Sequence, residues 1–141
     1  MRLSVTTNAQ LVRTGLQNLT LAVPKIGRNQ IWKAMQKART RAKIYPKERL
    51  KQKYVRTFRL RDNWSIGKAG ENGYMITNPT PYTKYVMGDA YGTSQAWMHI
   101  STDQGKRWTM TRTIIEEEIA MLPDEITAEI NMVARREGLK T

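Results

Sequence analysis

An apolar stripe inside a strongly basic segment is the feature that most constrains the fold. After Pro24, apolar side chains recur at spacings of 4, 3, 4 and 3, in the order Ile31, Met35, Ala38, Ala42 and Tyr45. This is the period of one face of an α-helix, and lysine and arginine fill the rest of the circumference. We predict a helix from Pro24 to Ile44. Because the stripe is narrow and rich in alanine, another element of the fold must pack closely on it. Trp32 lies at the border of the stripe and would widen the buried area.

A glycine-rich turn lies between two runs of apolar and aromatic residues. Trp64–Ala69 and Tyr74–Asn78 flank the turn, and its Asn-Gly step predicts a β-hairpin. Two prolines then end the second strand, and Tyr82–Met87 is long enough for one or two helical turns. We expect four side chains of this region to lie in the core: Trp64, Ile76, Tyr82 and Tyr85.

The chain ends predict further helices. Val5–Leu21 carries scattered apolar residues interrupted by glycine, which predicts a strand or a short helix. In Trp108–Met121, isoleucines surround three consecutive glutamates. A well-marked helix is predicted to start at Pro123, because acids lie in its first turn, arginines lie in its last turn and Gly138 follows directly after it. Together the elements predict an α+β fold in which a long N-terminal helix packs on a small antiparallel β-sheet, with C-terminal helices. At 141 residues, a single domain over 1–141 is expected.

Two segments show no regular period. Residues 46–63 are predicted to form a basic arm or loop, and residues 88–106 a long loop. Loops of this length usually have a function. Because the core does not need these segments, we expect them to contact partners.

Charge is distributed unevenly along the chain. The total of 24 Lys and Arg against 12 Asp and Glu gives a net charge of +12. Residues 25–61 contain 14 bases and one acid, whereas residues 116–137 contain seven acids and two bases. Three interpretations remain open: solvated helix faces, contact with nucleic acid, or a basic face of one copy meeting the acidic helix of the next.

The residues that carry these contact interpretations are basic positions of the first half and consecutive acids of the second. The candidate contacts to a partner or to DNA are Lys33, Lys37, Arg41, Arg56, Arg59, Arg61, Glu116, Glu117 and Glu118. The three glutamates are about 100° apart on a helix, so we expect them to project in three directions. The arginines could position phosphates but could not read bases.

The residue types disfavour catalysis. Cysteine is absent, which excludes disulfides, thiol nucleophiles and zinc fingers. His99 is the only histidine, and in an aromatic-flanked run it is typical of a structural side chain. We find no phosphate-binding glycine loop and no pair of carboxylates suited to acid–base chemistry. We therefore predict that the protein is not an enzyme and has no catalytic residues, cofactor or metal.

No stretch reaches the ~20 uncharged apolar residues that a membrane span requires. The first eight residues also lack the apolar core of a secretion signal. We therefore expect a soluble protein that is made and kept in the cytosol, without membrane contact.

Two motifs resemble those of a known family. Thr57, Leu60 and Ser65-Ile66 match a pattern of the type Pro-x-x-Thr-Gly-x-Leu followed by serine and a strand, although the proline is replaced and Phe58 stands where the family has glycine. The stronger match is Pro81–Gly88, similar to Pro-Tyr-Ala-x-Tyr-Val-(acid or His)-x-Gly, with threonine for alanine, methionine for the polar residue and one residue fewer. The chain thus resembles, over about residues 15–138, the small minor tail components of long-tailed bacteriophages, also described as head-tail joining or tail-completion proteins.

The resemblance implies a virion structural subunit at the head–tail junction, present in the host cytoplasm during assembly. Such a subunit would form a homo-oligomeric ring, with a hexamer favoured, between the head-connector and tail-tube proteins. Any contact with the passing DNA would be non-specific. The alternative is a basic nucleic-acid-binding protein without enzymatic activity.

Overall fold

The computed structural model describes residues 6–45, 57–87 and 111–139. The elements are α1 (Thr6–Ala42), α2 (Arg59–Asp62), β1 (Ser65–Ala69), β2 (Gly73–Thr77), α3 (Thr83–Val86), α4 (Thr111–Ala120) and α5 (Leu122–Arg136). This is the α+β class predicted from the sequence, with a long N-terminal helix, a small antiparallel sheet and C-terminal helices. The contacts divide the chain into two compact units, a central unit (Trp32–Ala120) and a terminal unit formed by residues up to Ile31 and from Met121 onward.

The central unit is built around the predicted stripe. Ala38 and Ala42 are each 1% exposed, and they share a core with side chains from α2, the hairpin, α3 and α4. The core members are Ala38, Ala42, Leu60, Trp64, Val86, Met87 and Ile114, with Tyr45, Ile76 and Ile115 packed against them. At the border of the stripe, the Trp32 ring lies 5.0 Å from the Tyr74 ring of β2. The prediction that this helix packs on the hairpin is therefore confirmed.

The hairpin pairs Ser65 with Thr77 and Ala69 with Gly73 in antiparallel register. In the turn between the two strands, Gly70 has a positive φ of +73°. Gly73 is required for a different reason, because a Cβ at this position would lie 2.4 Å from the Ala69 carbonyl oxygen. The turn glycines thus have separate roles, one in backbone conformation and one in close approach.

Two predictions differ from the structure, one for the core and one for the basic arm. Trp64 is 3% exposed, as expected, but Tyr82 is 39% exposed, because α3 is a single turn and Val86 and Met87 at its C-terminal end lie in the core. The side chain of Tyr85 is outside the described part. Arg59–Asp62, predicted to be part of a basic arm or loop, forms the short helix α2 because Leu60 is buried at 1% exposure.

In the terminal unit the structure corrects the predicted start of the first helix. Pro24 lies inside α1 (Thr6–Ala42), so the described residues of the predicted Val5–Leu21 element, from Thr6 on, are neither a strand nor a separate short helix. Proline inside a helix costs about 3 kcal/mol. Packing offsets this cost, since buried or half-buried residues recur at helical spacing on both sides of it. These residues are Gly15, Leu19, Ala22, Ile26 and Gln30.

Helix α5 runs antiparallel to α1 within the terminal unit. The Gln30 side-chain amide donates to Glu129 at 3.3 Å, and the Asn18 amide donates to Glu137 at 2.8 Å. At the C-terminal end of α5, Gly138 adopts a φ of +75° and the Leu139 N–H donates to the Ala134 carbonyl. This is a Schellman cap, so the predicted role of Gly138 is confirmed.

Candidate functional site

The basic side chains predicted to contact a partner occupy one line along the second half of α1. Lys33, Lys37 and Arg41 are four residues apart, so they lie on one face of the helix. Lys33 and Lys37 are exposed, whereas Arg41 is half-buried. The line therefore presents positive charge to solvent at its N-terminal end and leads to a partly exposed ion-pair network at its C-terminal end.

Arg41 joins α1 to α4 through two glutamates. Its guanidinium donates to the Glu118 carboxylate at 2.8 Å and to the Glu117 carboxylate. These hydrogen bonds, that to Glu117 above all, raise the pKa of Arg41. Although Glu117 and Glu118 are about 100° apart on the helix, the forked guanidinium reaches both carboxylates.

Glu116 has a local partner. The Arg112 side chain, one turn earlier on α4, donates to its carboxylate at 2.8 Å, and both groups are largely exposed. Exposed pairs of this spacing stabilise a helix by about 0.2–0.5 kcal/mol. The acidic triplet is thus divided between an interhelical network and a solvent-exposed pair within α4.

An aromatic and cationic cluster lies at the start of α2. The Arg61 guanidinium carbon is 4.5 Å from the centre of the Phe58 ring, and the Tyr45 ring meets that ring edge-on at 5.3 Å. Phe58 is 39% exposed, and Arg59 beside it is exposed. The cluster is defined here as Tyr45, Phe58 and Arg61. It combines a partly exposed aromatic ring with positive charge, the residue types used in stacking on nucleic-acid bases.

The backbone at Phe58 is strained. Its φ of 57° and ψ of 5° are left-handed, and Phe58 is the only non-glycine residue with positive φ in the described part of the chain. For an L-residue this conformation costs about 1–2 kcal/mol. The Phe58 carbonyl accepts the Asp62 N–H at 3.1 Å, closing the turn of α2.

Hydrogen bonds from the Asn78-Pro79-Thr80 turn hold α2 in place. The Asn78 amide donates to the Leu60 carbonyl at 2.7 Å, and its oxygen accepts the Thr80 N–H at 3.0 Å. The buried Thr80 hydroxyl accepts from Asn63 at 3.2 Å and lies 3.4 Å from the Arg59 carbonyl. Sequence reasoning treated this segment only as a strand terminator. The signal it missed is the Asn–Pro–Thr sequence, which is typical of a side-chain-closed turn.

Arg61 also pairs with its neighbour Asp62, at 2.7 Å between Nε and the carboxylate. This hydrogen bond raises the pKa of Arg61 and lowers the pKa of Asp62, and both groups are exposed. Of the other candidate contacts, Arg56 lies outside the described residues. So do His99, most of the predicted arm (46–56) and the predicted loop at 88–106.

The described residues contain no group of three or more His, Asp or Glu side chains that could hold a metal ion. Among their helices, none combines the length and apolar character needed to cross a bilayer.

Comparison of the chain with protein-family models, with curated proteins and with solved structures gave no match. The proposed function therefore rests on the motifs in the sequence and on the geometry described above.

Proposed function

We propose that the protein is a virion structural subunit of a long-tailed bacteriophage, a head-tail joining or tail-completion protein that forms a ring, with a hexamer favoured, between head connector and tail tube. The observation that carries the proposal is the conformation of Phe58. The family motif has glycine at this position, and Phe58 adopts a φ of 57°, in the region that glycine adopts without strain.

Other motif positions are consistent with this proposal. Leu60 is buried at 1% exposure, and Ser65 opens β1. In the second motif, α3 spans Thr83–Val86, and Val86 and Met87 are both buried. Leu60 of the first motif and Val86 and Met87 of the second thus belong to one structural core, which supports a common architectural reason for their spacing.

Head-to-tail packing of copies was predicted from the opposite charges of the two halves. The intrachain pairs change how these residues can serve in this contact, since Glu117 and Glu118 join α1 to α4 through Arg41, whereas Glu116 is paired with Arg112 on its own helix. Lys33 and Glu116 are exposed candidates of opposite sign that take no part in the Arg41 network. We propose that the basic line of one subunit meets the exposed acid of α4 on its neighbour.

Compensating charge reversal tests this contact. Lys33→Glu and Glu116→Lys should each weaken rings seen by native mass spectrometry and electron microscopy, and the double variant should restore them. Neither change touches the Arg41 network, and Glu116→Lys removes only the exposed pair with Arg112, about 0.2–0.5 kcal/mol. Failure of the wild-type protein to form closed rings with connector and tail-tube proteins present would count against the proposed function.

The second candidate is a basic nucleic-acid-binding protein, favoured by the exposed ring of Phe58 beside Arg59 and Arg61. Such a protein should bind free DNA or RNA at near-physiological salt, with an affinity that falls steeply as salt rises. A gel shift compares the nucleic-acid affinity of Lys33→Glu with that of Lys25→Glu, a control with the same change of charge on the same helix. A larger loss of affinity in Lys33→Glu indicates a defined binding site, whereas equal losses indicate non-specific electrostatic attraction. Sub-micromolar binding lost only in Lys33→Glu would favour this alternative.

A further inference from the structure

The turn of the hairpin ends with the step Asn72-Gly73. Of the asparagines in the chain, Asn72 is the one that a glycine follows. The turn comprises residues 70–72, and β2 begins at Gly73. Asn72 is exposed, and so is all of β1 except the half-buried Ile66. Exposed turns of this kind open locally at little cost in free energy.

The side chain of Asn72 has no structural role in this turn. Asparagines in turns commonly bond to the backbone two residues on, or they adopt the left-handed region. The Asn72 amide forms no hydrogen bond with any described residue. Its φ is not positive either, because Phe58 is the non-glycine residue with positive φ in the described part of the chain. No contact therefore holds this amide away from the main chain that follows it.

Two other asparagines of the central unit are held in place. The Asn63 amide donates to the buried Thr80 hydroxyl at 3.2 Å. The Asn78 amide donates to a backbone carbonyl of α2 at 2.7 Å, and its oxygen accepts the Thr80 N–H at 3.0 Å. The residue after Asn78 is Pro79, which has no N–H. These two asparagines are thus internal controls for the unbonded Asn72.

The hairpin itself requires the glycine that follows Asn72. A Cβ at position 73 would lie 2.4 Å from the Ala69 carbonyl oxygen, so glycine is needed where the two strands approach each other. Without a Cβ, the backbone nitrogen of Gly73 is also open to reaction with the preceding side chain. The geometry that closes the turn therefore excludes the bulkier residues that would shield this nitrogen.

We propose that Asn72 is a site of spontaneous deamidation in the folded protein. The Gly73 backbone nitrogen gives its proton to a solvent base and attacks Cγ, the carbonyl carbon of the Asn72 side chain. The new N–Cγ bond closes a five-membered succinimide ring. The bond between Cγ and the amide nitrogen breaks, and that nitrogen leaves as ammonia after it takes a proton from water.

Water then opens the succinimide ring in one of two ways. Attack at Cγ breaks its bond to the Gly73 nitrogen and gives aspartate with a normal main chain. Attack at the main-chain carbonyl carbon of residue 72 gives isoaspartate, in which the main chain runs through the former side chain and is one carbon longer. In both cases one water is consumed, one ammonia is released and the turn gains a negative charge, and nothing is oxidised or reduced.

The isoaspartate product disturbs the hairpin. Gly73 pairs with Ala69, and the next pair places Tyr74 opposite Lys68. An extra main-chain carbon before Gly73 shifts both residues of β2 relative to their partners. Tyr74 packs on α1, where its ring centre lies 5.0 Å from that of Trp32. Formation of isoaspartate should therefore weaken the packing of the hairpin on α1, whereas aspartate should preserve it.

The test follows the wild-type chain, kept folded at neutral and mildly alkaline pH and sampled over days. Trypsin cleavage after Lys68 and Lys84 releases one peptide that contains both Asn72 and Asn78. Fragment masses locate each lost amide, and a sample digested without ageing corrects for changes during digestion. Asn72 should lose its amide, faster at higher pH, and give both aspartate and isoaspartate, while Asn78 and Asn63 keep theirs.

Two results would overturn the proposal. One is an Asn72 amide that persists in the folded chain but is lost from the chain unfolded in urea, because the turn would then protect it. The other is loss of the Asn78 amide as fast as that of Asn72. The matched variant is Asn72→Gln, which would need a six-membered ring and should keep its amide under the same conditions.

A second measurement tests the effect on the hairpin. Asn72→Asp carries the charge of the product on a normal main chain. The isoaspartate form, separated from the aged protein by chromatography, should unfold at a lower urea concentration than Asn72→Asp. Equal midpoints would overturn the predicted loss of packing. The inference does not rest on the proposed function, since every measurement uses the free chain.

Discussion

Replacing Phe58 by alanine and by glycine should separate two contributions that the native residue combines. Its ring contacts Tyr45 and Arg61, and its backbone is left-handed. An aromatic pair contributes about 0.5–1.5 kcal/mol and an exposed cation–π contact about 0.5–1 kcal/mol. Phe58→Ala loses these contacts and keeps the strained backbone, so we expect it to lower the free energy of unfolding by about 1–2.5 kcal/mol.

Phe58→Gly loses the same ring but relieves the strain. The relief is about 1–2 kcal/mol, and the greater freedom of glycine in the unfolded chain offsets about 0.4–1 kcal/mol of it. The glycine variant should therefore be more stable than the alanine variant by up to about 1.5 kcal/mol. In a helix interior the order is the opposite, with glycine about 0.5–1 kcal/mol worse than alanine.

The assay is equilibrium unfolding in urea. The urea concentrations at the unfolding midpoints are compared, provided that the variants share the same dependence of the unfolding free energy on urea concentration. The control is Ala128→Gly, an exposed position inside α5, where glycine should destabilise. If alanine at position 58 proves more stable than glycine, the left-handed backbone does not exist in solution, and the observation on which the proposed function rests is lost.

Three further outcomes follow from the central unit. Gly73→Ala should destabilise the hairpin, because the new Cβ meets the Ala69 carbonyl oxygen, whereas Gly67→Ala, with open space around it, should not; thermal melts compare the two. Ala38→Glu should lower the free energy of unfolding by several kcal/mol, since it buries an unpaired charge, and an unchanged melting temperature would contradict the packing of α1 on the core. The pKa of Asp62, measured by NMR, should lie below its ordinary value of 3.8 and rise towards that value in Arg61→Ala. Because the pKa of Asp62 is lowered in the folded state, the pair with Arg61 stabilises the fold at pH values above the ordinary pKa. This stabilisation is lost as the pH falls through the pKa of the folded state.

Local pattern was sufficient for the elements whose stabilising contacts are near in sequence. The stripe from Ile31 to Tyr45 predicted the helix that packs on the hairpin, and the Asn-Gly step predicted the hairpin itself. The acids, arginines and Gly138 of α5 predicted its two ends. Each of these signals depends on the period of one helix or on the geometry of one turn, so no distant residue was needed to interpret it.

Tertiary structure decided the features that depend on residues far apart in the chain. Helix α1 continues through Pro24 because α5, about a hundred residues later, packs beside it. Arg41 takes two glutamates of α4 as partners because folding brings these helices together, and no spacing rule relates positions 76 and 77 residues apart. Phe58 adopts a glycine-like backbone because burial of Leu60 and the hydrogen bonds of Asn78 and Thr80 together exceed the cost of its strain.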